Sequence, residues 1–96
     1  MVIHIAIFKF NPQHTKEQID QAMKEVQDLK NKIPQIIEIF AGNNVSKYSQ
    51  GFTHAIVVKF KSKEDLEAYR AHPDHKPIAE KLDQMEADSI GIDFET

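Results

Sequence analysis

Residues 52–60 read Phe-Thr-His-Ala-Ile-Val-Val-Lys-Phe, and this stretch has the clearest strand pattern in the chain. β-Branched and aromatic residues dominate it, as is typical of a strand within a sheet. Residues 1–10, Met-Val-Ile-His-Ile-Ala-Ile-Phe-Lys-Phe, have the same character and end at the turn signal Asn11-Pro12. The two segments predict a pair of strands around which the other elements are organised.

Helix signals separate further strand-like segments. Thr15-Lys-Glu-Gln18 has the spacing of a capping box, and apolar residues recur behind it at helical spacing until Pro34 ends the helix. Ser62-Lys-Glu-Asp65 begins a second helix, which His72-Pro73 breaks, and a third is expected from about residue 76 to 87. Shorter strands are expected at 36–40 and 89–94, with a polar loop at 43–51.

The resulting order, β-α-β-β-α-β, predicts an α+β fold of the ferredoxin-like kind. Two β-α-β halves with right-handed crossovers give a four-stranded antiparallel sheet with its helices on one face. No linker or low-complexity segment interrupts residues 1–96, so we expect a single domain.

Both faces of this sheet are apolar, although so short a chain supplies helices for only one. One face is uniformly aliphatic: Ile3, Ile5, Ile7, Ala55, Val57, Ile90, Ile92 and Phe94. A solvated face would alternate with polar residues, so we expect a second copy to cover it, giving a face-to-face dimeric α/β barrel. The alternative is a monomer with an open apolar sheet. The other face mixes His4 and His54 with small residues, which leaves room for a cavity under the helices.

Composition excludes several classes of function. A net charge of −3 argues against binding to nucleic acids or anionic membranes, and the lack of cysteine excludes disulfides, thiolate nucleophiles and cysteine-based metal sites. The longest apolar stretch, residues 2–8, is far shorter than the roughly 20 residues that span a membrane. No secretory signal is recognisable, so a cytoplasmic location is expected.

Histidines are the main candidates for chemistry, because imidazole changes its charge near neutral pH. His4 and His54 occupy the same alternate positions of their strands as the inward-facing residues, whereas His14 is expected at the surface. The alternative for each strand histidine is a core residue bonded to a backbone carbonyl, and for His72 a residue at the end of a helix. His54, His75 and Asp74 could hold zinc, but no ligand spacing supports this, and neither a metal nor a cofactor is predicted.

Strand direction limits which histidines can meet. The first and third strands are expected to be antiparallel neighbours, so several residues, at about 3.3 Å each, separate His4 from His54. His75 is therefore expected near one of them rather than both.

Several motifs together resemble the stress-responsive dimeric α/β-barrel (Dabb) domain family. They are His4 with the strand end Phe8-Lys9-Phe10, residues 51–55 Gly-Phe-Thr-His-Ala, residues 60–66 Phe-Lys-Ser-Lys-Glu-Asp-Leu, residues 69–75 Tyr-Arg-Ala-His-Pro-Asp-His, and Asp93. The resemblance covers nearly the whole chain. It implies a ferredoxin-like protomer and a tight homodimer.

The resemblance also implies roles for individual residues. A plant member of the family closes a linear polyketide by aldol condensation, and similarity to it makes His75 the general base and Tyr69 its hydrogen-bonding partner. The predicted ligand-binding residues are His4, His54, Ala6, Phe8, Ile56, Met23, Val26 and Ile78. Where that cyclase has aromatic residues on its first helix, this chain has Ala22, Met23 and Val26, so a different carbonyl compound is expected.

Two functions are left open. The first is a cofactor-free lyase, cyclase or isomerase that acts on a carbonyl or polyketide-like molecule by His/Tyr acid–base chemistry. The second is a non-catalytic stress-response or ligand-binding homodimer with structural histidines.

Overall fold

The chain forms four strands and three helices in a computed structural model that describes all residues, 1–96. The strands are β1 (Val2–Phe10), β2 (Ile36–Asn43), β3 (His54–Phe60) and β4 (Glu86–Glu95). The helices are α1 (Lys16–Asp28), α2 (Lys63–Ala71) and α3 (His75–Met85), with a short 3₁₀ turn at Leu29–Asn31 after α1. No helix has both the length and the apolar character needed to cross a membrane.

The sheet has the order β2-β3-β1-β4, and every neighbouring pair is antiparallel. β1 is central, so that Ile5 pairs with Val57 on one side and with Ile92 on the other. This arrangement confirms the predicted ferredoxin-like protomer.

The first two predicted helix starts are formed by side-chain caps. The Thr15 hydroxyl accepts a hydrogen bond from the Gln18 amide at 3.1 Å, and the Gln18 side chain accepts one from the Thr15 amide at 2.9 Å. This is the reciprocal capping box. At α2, the Ser62 hydroxyl accepts from the Asp65 amide at 3.2 Å. Each cap satisfies amides that have no partner within the helix.

The end of α3 and the start of β4 differ from the sequence-based boundaries. α3 ends at Met85, two residues early, and β4 begins directly at Glu86. The Asn11 backbone amide donates to the Met85 carbonyl at 2.9 Å, and its side-chain amide donates to the Glu86 carbonyl at 3.1 Å. Because a distant turn supplies these donors, no local sequence signal marks the transition.

The helices cover the face of the sheet that carries the even-numbered residues of β1 and β3. The core consists of Val2, Phe8, Ala22, Met23, Val26, Leu29, Ile33, Ile36, Ile56, Val58, Phe60, Leu66, Tyr69, Leu82 and Met85. On the opposite face, Phe40, Ile92 and Phe94 expose 55%, 51% and 45% of their surface. The predicted assignment of the two faces is therefore confirmed.

Candidate functional site

A cavity of about 300 Å³ lies between the sheet and the helices. β1 and β4 form its floor, and residues of all three helices form its walls. The lining residues are His4, Ala6, Phe8, Val26, Leu29, Ile56, Tyr69, Arg70, His75, Ile78, Ala79, Leu82, Asp83, Glu86, Ser89, Ile90 and Gly91. A largely apolar wall that also carries polar groups is typical of a small-molecule site.

Tyr69 is buried beside two imidazoles. It lies near the end of α2, with its ring centroid 4.4 Å from that of His75 and 6.2 Å from that of His4. Burial raises the pKa of the Tyr69 phenol to about 12, so the hydroxyl keeps its proton at neutral pH. No protein group is hydrogen-bonded to this hydroxyl, which leaves it able to donate to a ligand in the cavity.

His75 is the first residue of α3, placed by the tight turn that follows α2. In this turn the His75 amide donates to the His72 carbonyl at 3.0 Å, and the Asp74 amide donates to Nδ1 of His72 at 3.1 Å. Burial lowers the pKa of His75, and this effect outweighs the hydrogen bond to the Arg70 backbone, which raises it. The imidazole is therefore neutral at pH 7 and can accept a proton.

His4 is held by a carboxylate on the neighbouring strand. Register places His4 opposite Asp93, and Nδ1 of His4 lies 2.5 Å from one Asp93 oxygen. A carboxylate can only accept, so Nδ1 carries a proton, and in the neutral ring Nε2 is the acceptor. The other Asp93 oxygen is ion-paired with Arg70, so that the three side chains form a chain of charge-assisted contacts.

The structure brings most of the predicted site residues together. Those that line the cavity are Tyr69, His75, His4, Ala6, Phe8, Ile56, Val26 and Ile78. Two do not reach it: Met23 packs in the core, and His54 lies at the other end of the sheet, opposite Phe8. Parity along a strand predicts the face of a residue but not the cavity that it reaches, and the functions of all these residues stay predictions.

Arg70 is a cavity residue that sequence reasoning did not select. It follows Tyr69 inside the motif that resembles the family, but its role depends on the β1–β4 register, which the sequence does not fix. His54, His75 and Asp74 are not gathered, and no group of three or more His, Asp or Glu side chains is arranged to hold a metal ion.

Comparison with known proteins identifies the family. The sequence model of the Stress responsive A/B Barrel Domain (Dabb) matches residues 2–96. The stress-response A/B barrel domain-containing protein DABB1 of Arabidopsis thaliana is 26% identical over 98% of this chain, which spans 46% of that relative's length. Olivetolic acid cyclase of Cannabis sativa is 32% identical over 77% of this chain and 75% of the cyclase.

Solved structures have the same fold. The crystal structure of At3g17210 from Arabidopsis thaliana has a TM-score of 0.92 with 28% identity and covers 100% of this chain and 95% of its own. A protein from Thermobifida fusca, described as a dimeric ferredoxin-like protein of unknown function, has a TM-score of 0.87 with 25% identity. The match covers 99% of this chain and 90% of that protein.

Proposed function

Because the chain belongs to the stress-responsive A/B barrel domain (Dabb) family, we propose that its cavity binds a small carbonyl compound and that His75 and Tyr69 catalyse proton transfer beside the carbonyl. The observation that carries the proposal is the contact of these two rings, 4.4 Å between centroids, within one cavity. The similarity to olivetolic acid cyclase supports the same class of chemistry.

The two side chains have the protonation states that this reaction needs. Neutral His75 removes a proton from the carbon next to the carbonyl, so that a C–H bond breaks and an imidazole N–H bond forms. The electron pair moves onto the carbonyl oxygen, where the protonated Tyr69 hydroxyl donates a hydrogen bond to the developing enolate. The enolate then attacks a second carbonyl of the same molecule or is reprotonated at another atom, as in a cyclase or an isomerase.

His4 is proposed to bind the ligand rather than to remove its proton. Asp93 fixes the Nδ1–H tautomer of His4, so Nε2 can accept a hydrogen bond from a ligand hydroxyl. The apolar lining, which includes Ala6, Val26 and Ile78, would hold the hydrocarbon part of the ligand.

Deuterium exchange tests the proposed chemistry without knowledge of the natural substrate. The protein is incubated with 2-butanone in D₂O, and loss of the α-proton signals is followed by NMR. We expect exchange above the uncatalysed rate, its abolition in His75→Gln, and a fall of about a hundredfold in Tyr69→Phe. His14→Gln is the matched control, because His14 lies outside this cavity.

The same experiment separates the two functions. Wild-type exchange in His75→Gln would contradict the assignment of the base. Saturable binding of the ketone without any exchange would overturn the catalytic step and support a non-catalytic ligand-binding protein.

We also propose that the chain is a homodimer that pairs through its open sheet face. The exposure of Phe40, Ile92 and Phe94 supports this, because large apolar patches of soluble proteins are usually interaction surfaces. The dimeric description of the Thermobifida fusca protein points the same way. Sedimentation at micromolar concentration should give the mass of two chains, and a lone chain would contradict the proposal.

A stress-related role and a cytoplasmic location stay predictions for this chain. The first is suggested by the name of the family and of its Arabidopsis relative. Expression under heat, oxidative and osmotic stress would test it.

A further inference from the structure

A second cavity, of about 390 Å³, lies at the other end of the helix-covered face, where α1 begins. Its lining includes Lys16 and Asp20 from α1, Phe10 from β1, and His54 at the start of β3. It is separate from the first cavity, because the two have no lining residue in common. The two cavities therefore have different histidines.

His54 is the buried polar group of this second cavity. Only 9% of its surface is exposed, and its ring packs edge-on against Phe10 at a centroid distance of 5.2 Å. Nδ1 lies 2.8 Å from the Thr53 hydroxyl, whereas Nε2 has no hydrogen-bond partner in the protein. Nε2 is therefore free to form a hydrogen bond with a ligand or water in the cavity.

The charged groups facing His54 favour an acceptor ligand. Burial has the largest effect on His54 and lowers its pKa, so that the imidazole is neutral at pH 7. The charge of Asp20 raises this pKa, and that of Lys16 lowers it. Asp20, the single carboxylate in the lining, is ion-paired with Lys16 at 2.8 Å, and Lys9 adds a second ammonium group, so the lining keeps a net positive charge. Nε2 of His14, which also lines this cavity, is buried and has no hydrogen-bond partner.

We propose that this second cavity is a binding site for a small organic carboxylate, with Nε2 of His54 donating to the carboxylate and Lys16 neutralising it. The apolar side chains of Phe10 and Ile19 in the lining provide contact for a short hydrocarbon group. The site is independent of the His75 chemistry, since none of these residues lines the first cavity.

Imidazole nitrogen NMR tests the proposal with butyrate as the probe. In ¹⁵N-labelled protein, the His54 ring signals should shift saturably with butyrate, at a midpoint on the order of millimolar for so small a ligand. The signals of His4 and His75 should stay in place, and butylamine should cause no saturable shift. Absence of a saturable His54 shift, or movement of His75 with the same midpoint, would overturn the proposal.

Single charge changes on α1 sharpen the test. Lys16→Gln should weaken butyrate binding about fivefold, and Asp20→Asn should strengthen it about fivefold, because these charges attract and repel the carboxylate respectively. Lys24→Gln is the matched control: it removes the same charge from an exposed position of the same helix that does not line the cavity. An equal loss of affinity in Lys24→Gln and Lys16→Gln would mean non-specific attraction and would refute the site.

Discussion

Three histidines of this chain have three different surroundings, and these surroundings decide what each imidazole can do. His4 is fixed by a carboxylate, His75 is half-buried beside a phenol, and His54 is buried at the far end of the sheet. Residue type alone makes them equivalent candidates. Their separate roles follow from the neighbours that the fold supplies.

The lowered pKa of His75 makes stability depend on pH. In the unfolded chain this pKa returns to about 6.5, so below that value the unfolded state binds more protons than the folded state. The stabilising contribution of neutral His75 is complete above pH 6.5 and is lost as the pH falls from there through the lower pKa of the folded state, and His54 acts in the same direction. Urea unfolding from about pH 8 to 5 should show this decline, with a shallower slope in His75→Gln. An unchanged slope in that variant would contradict the assignment.

Asp93→Ala should remove the preference of neutral His4 for the Nδ1–H tautomer. Without the acceptor at Nδ1, the Nε2–H tautomer becomes populated, and the ¹⁵N shifts of the two ring nitrogens should converge. The loss of stability should be about 1 kcal/mol, because Asp93 is partly exposed to solvent. Arg70→Met is the control, since it removes the ion pair but leaves the His4–Asp93 contact; equal changes in both variants would refute the role of Asp93.

At the residue scale, the resemblance to the family selected Tyr69 and His75, and both line one cavity. The turn that joins them is short and is held by hydrogen bonds within it, so residues close in sequence determine its geometry. His54 and Asp93 are different, because their partners depend on strand register. Register is set by the whole sheet, and no local signal reports it.

At the scale of the elements, side-chain caps explain where α1 and α2 begin, whereas α3 begins without one. The reciprocal contact between Thr15 and Gln18 was predicted from spacing and is present in the structure. The end of α3 was misplaced, because Asn11 satisfies the carbonyls there from the opposite end of the sequence. Local signals therefore predict starts better than ends in this chain.

Thr15→Ala should destabilise the protein by about 1 kcal/mol, because it leaves the Gln18 amide without its cap. Chemical denaturation followed by circular dichroism measures this loss. Gln13→Ala, at an exposed position just before the cap, should change the free energy of unfolding by less than about 0.5 kcal/mol. An equal effect of the two substitutions would contradict the capping contribution.

At the scale of the whole molecule, the sheet has one covered and one open face. The alternation of β1 and β3 predicted both faces and their composition, because side-chain direction in a strand depends only on parity. The sequence indicated only part of the wall of the first cavity: Arg70, Ala79 and Asp83 line it without having been predicted, because the packing of the helices is set jointly.

Ile92→Glu should dissociate the proposed homodimer. Ile92 lies on the open face, in the edge strand β4 and opposite Ile5, and a two-fold interface would bury the added charge twice without a partner. Sedimentation should show the dimer dissociation constant rising by about a hundredfold or more. Val45→Glu is the control, because Val45 is 95% exposed and lies outside the strands; an intact dimer in Ile92→Glu would refute the interface.

β4 contributes to both surfaces at once. The first cavity is lined by Ser89 and Gly91, and Asp93 contacts its His4. The open face carries Ile92 and Phe94. A dimer contact that restricts the motion of this edge strand would also restrict the motion of the Asp93 carboxylate, which holds His4. Thermodynamic linkage then makes the effect mutual: whatever factor assembly adds to the affinity for a bound molecule, that molecule adds to assembly.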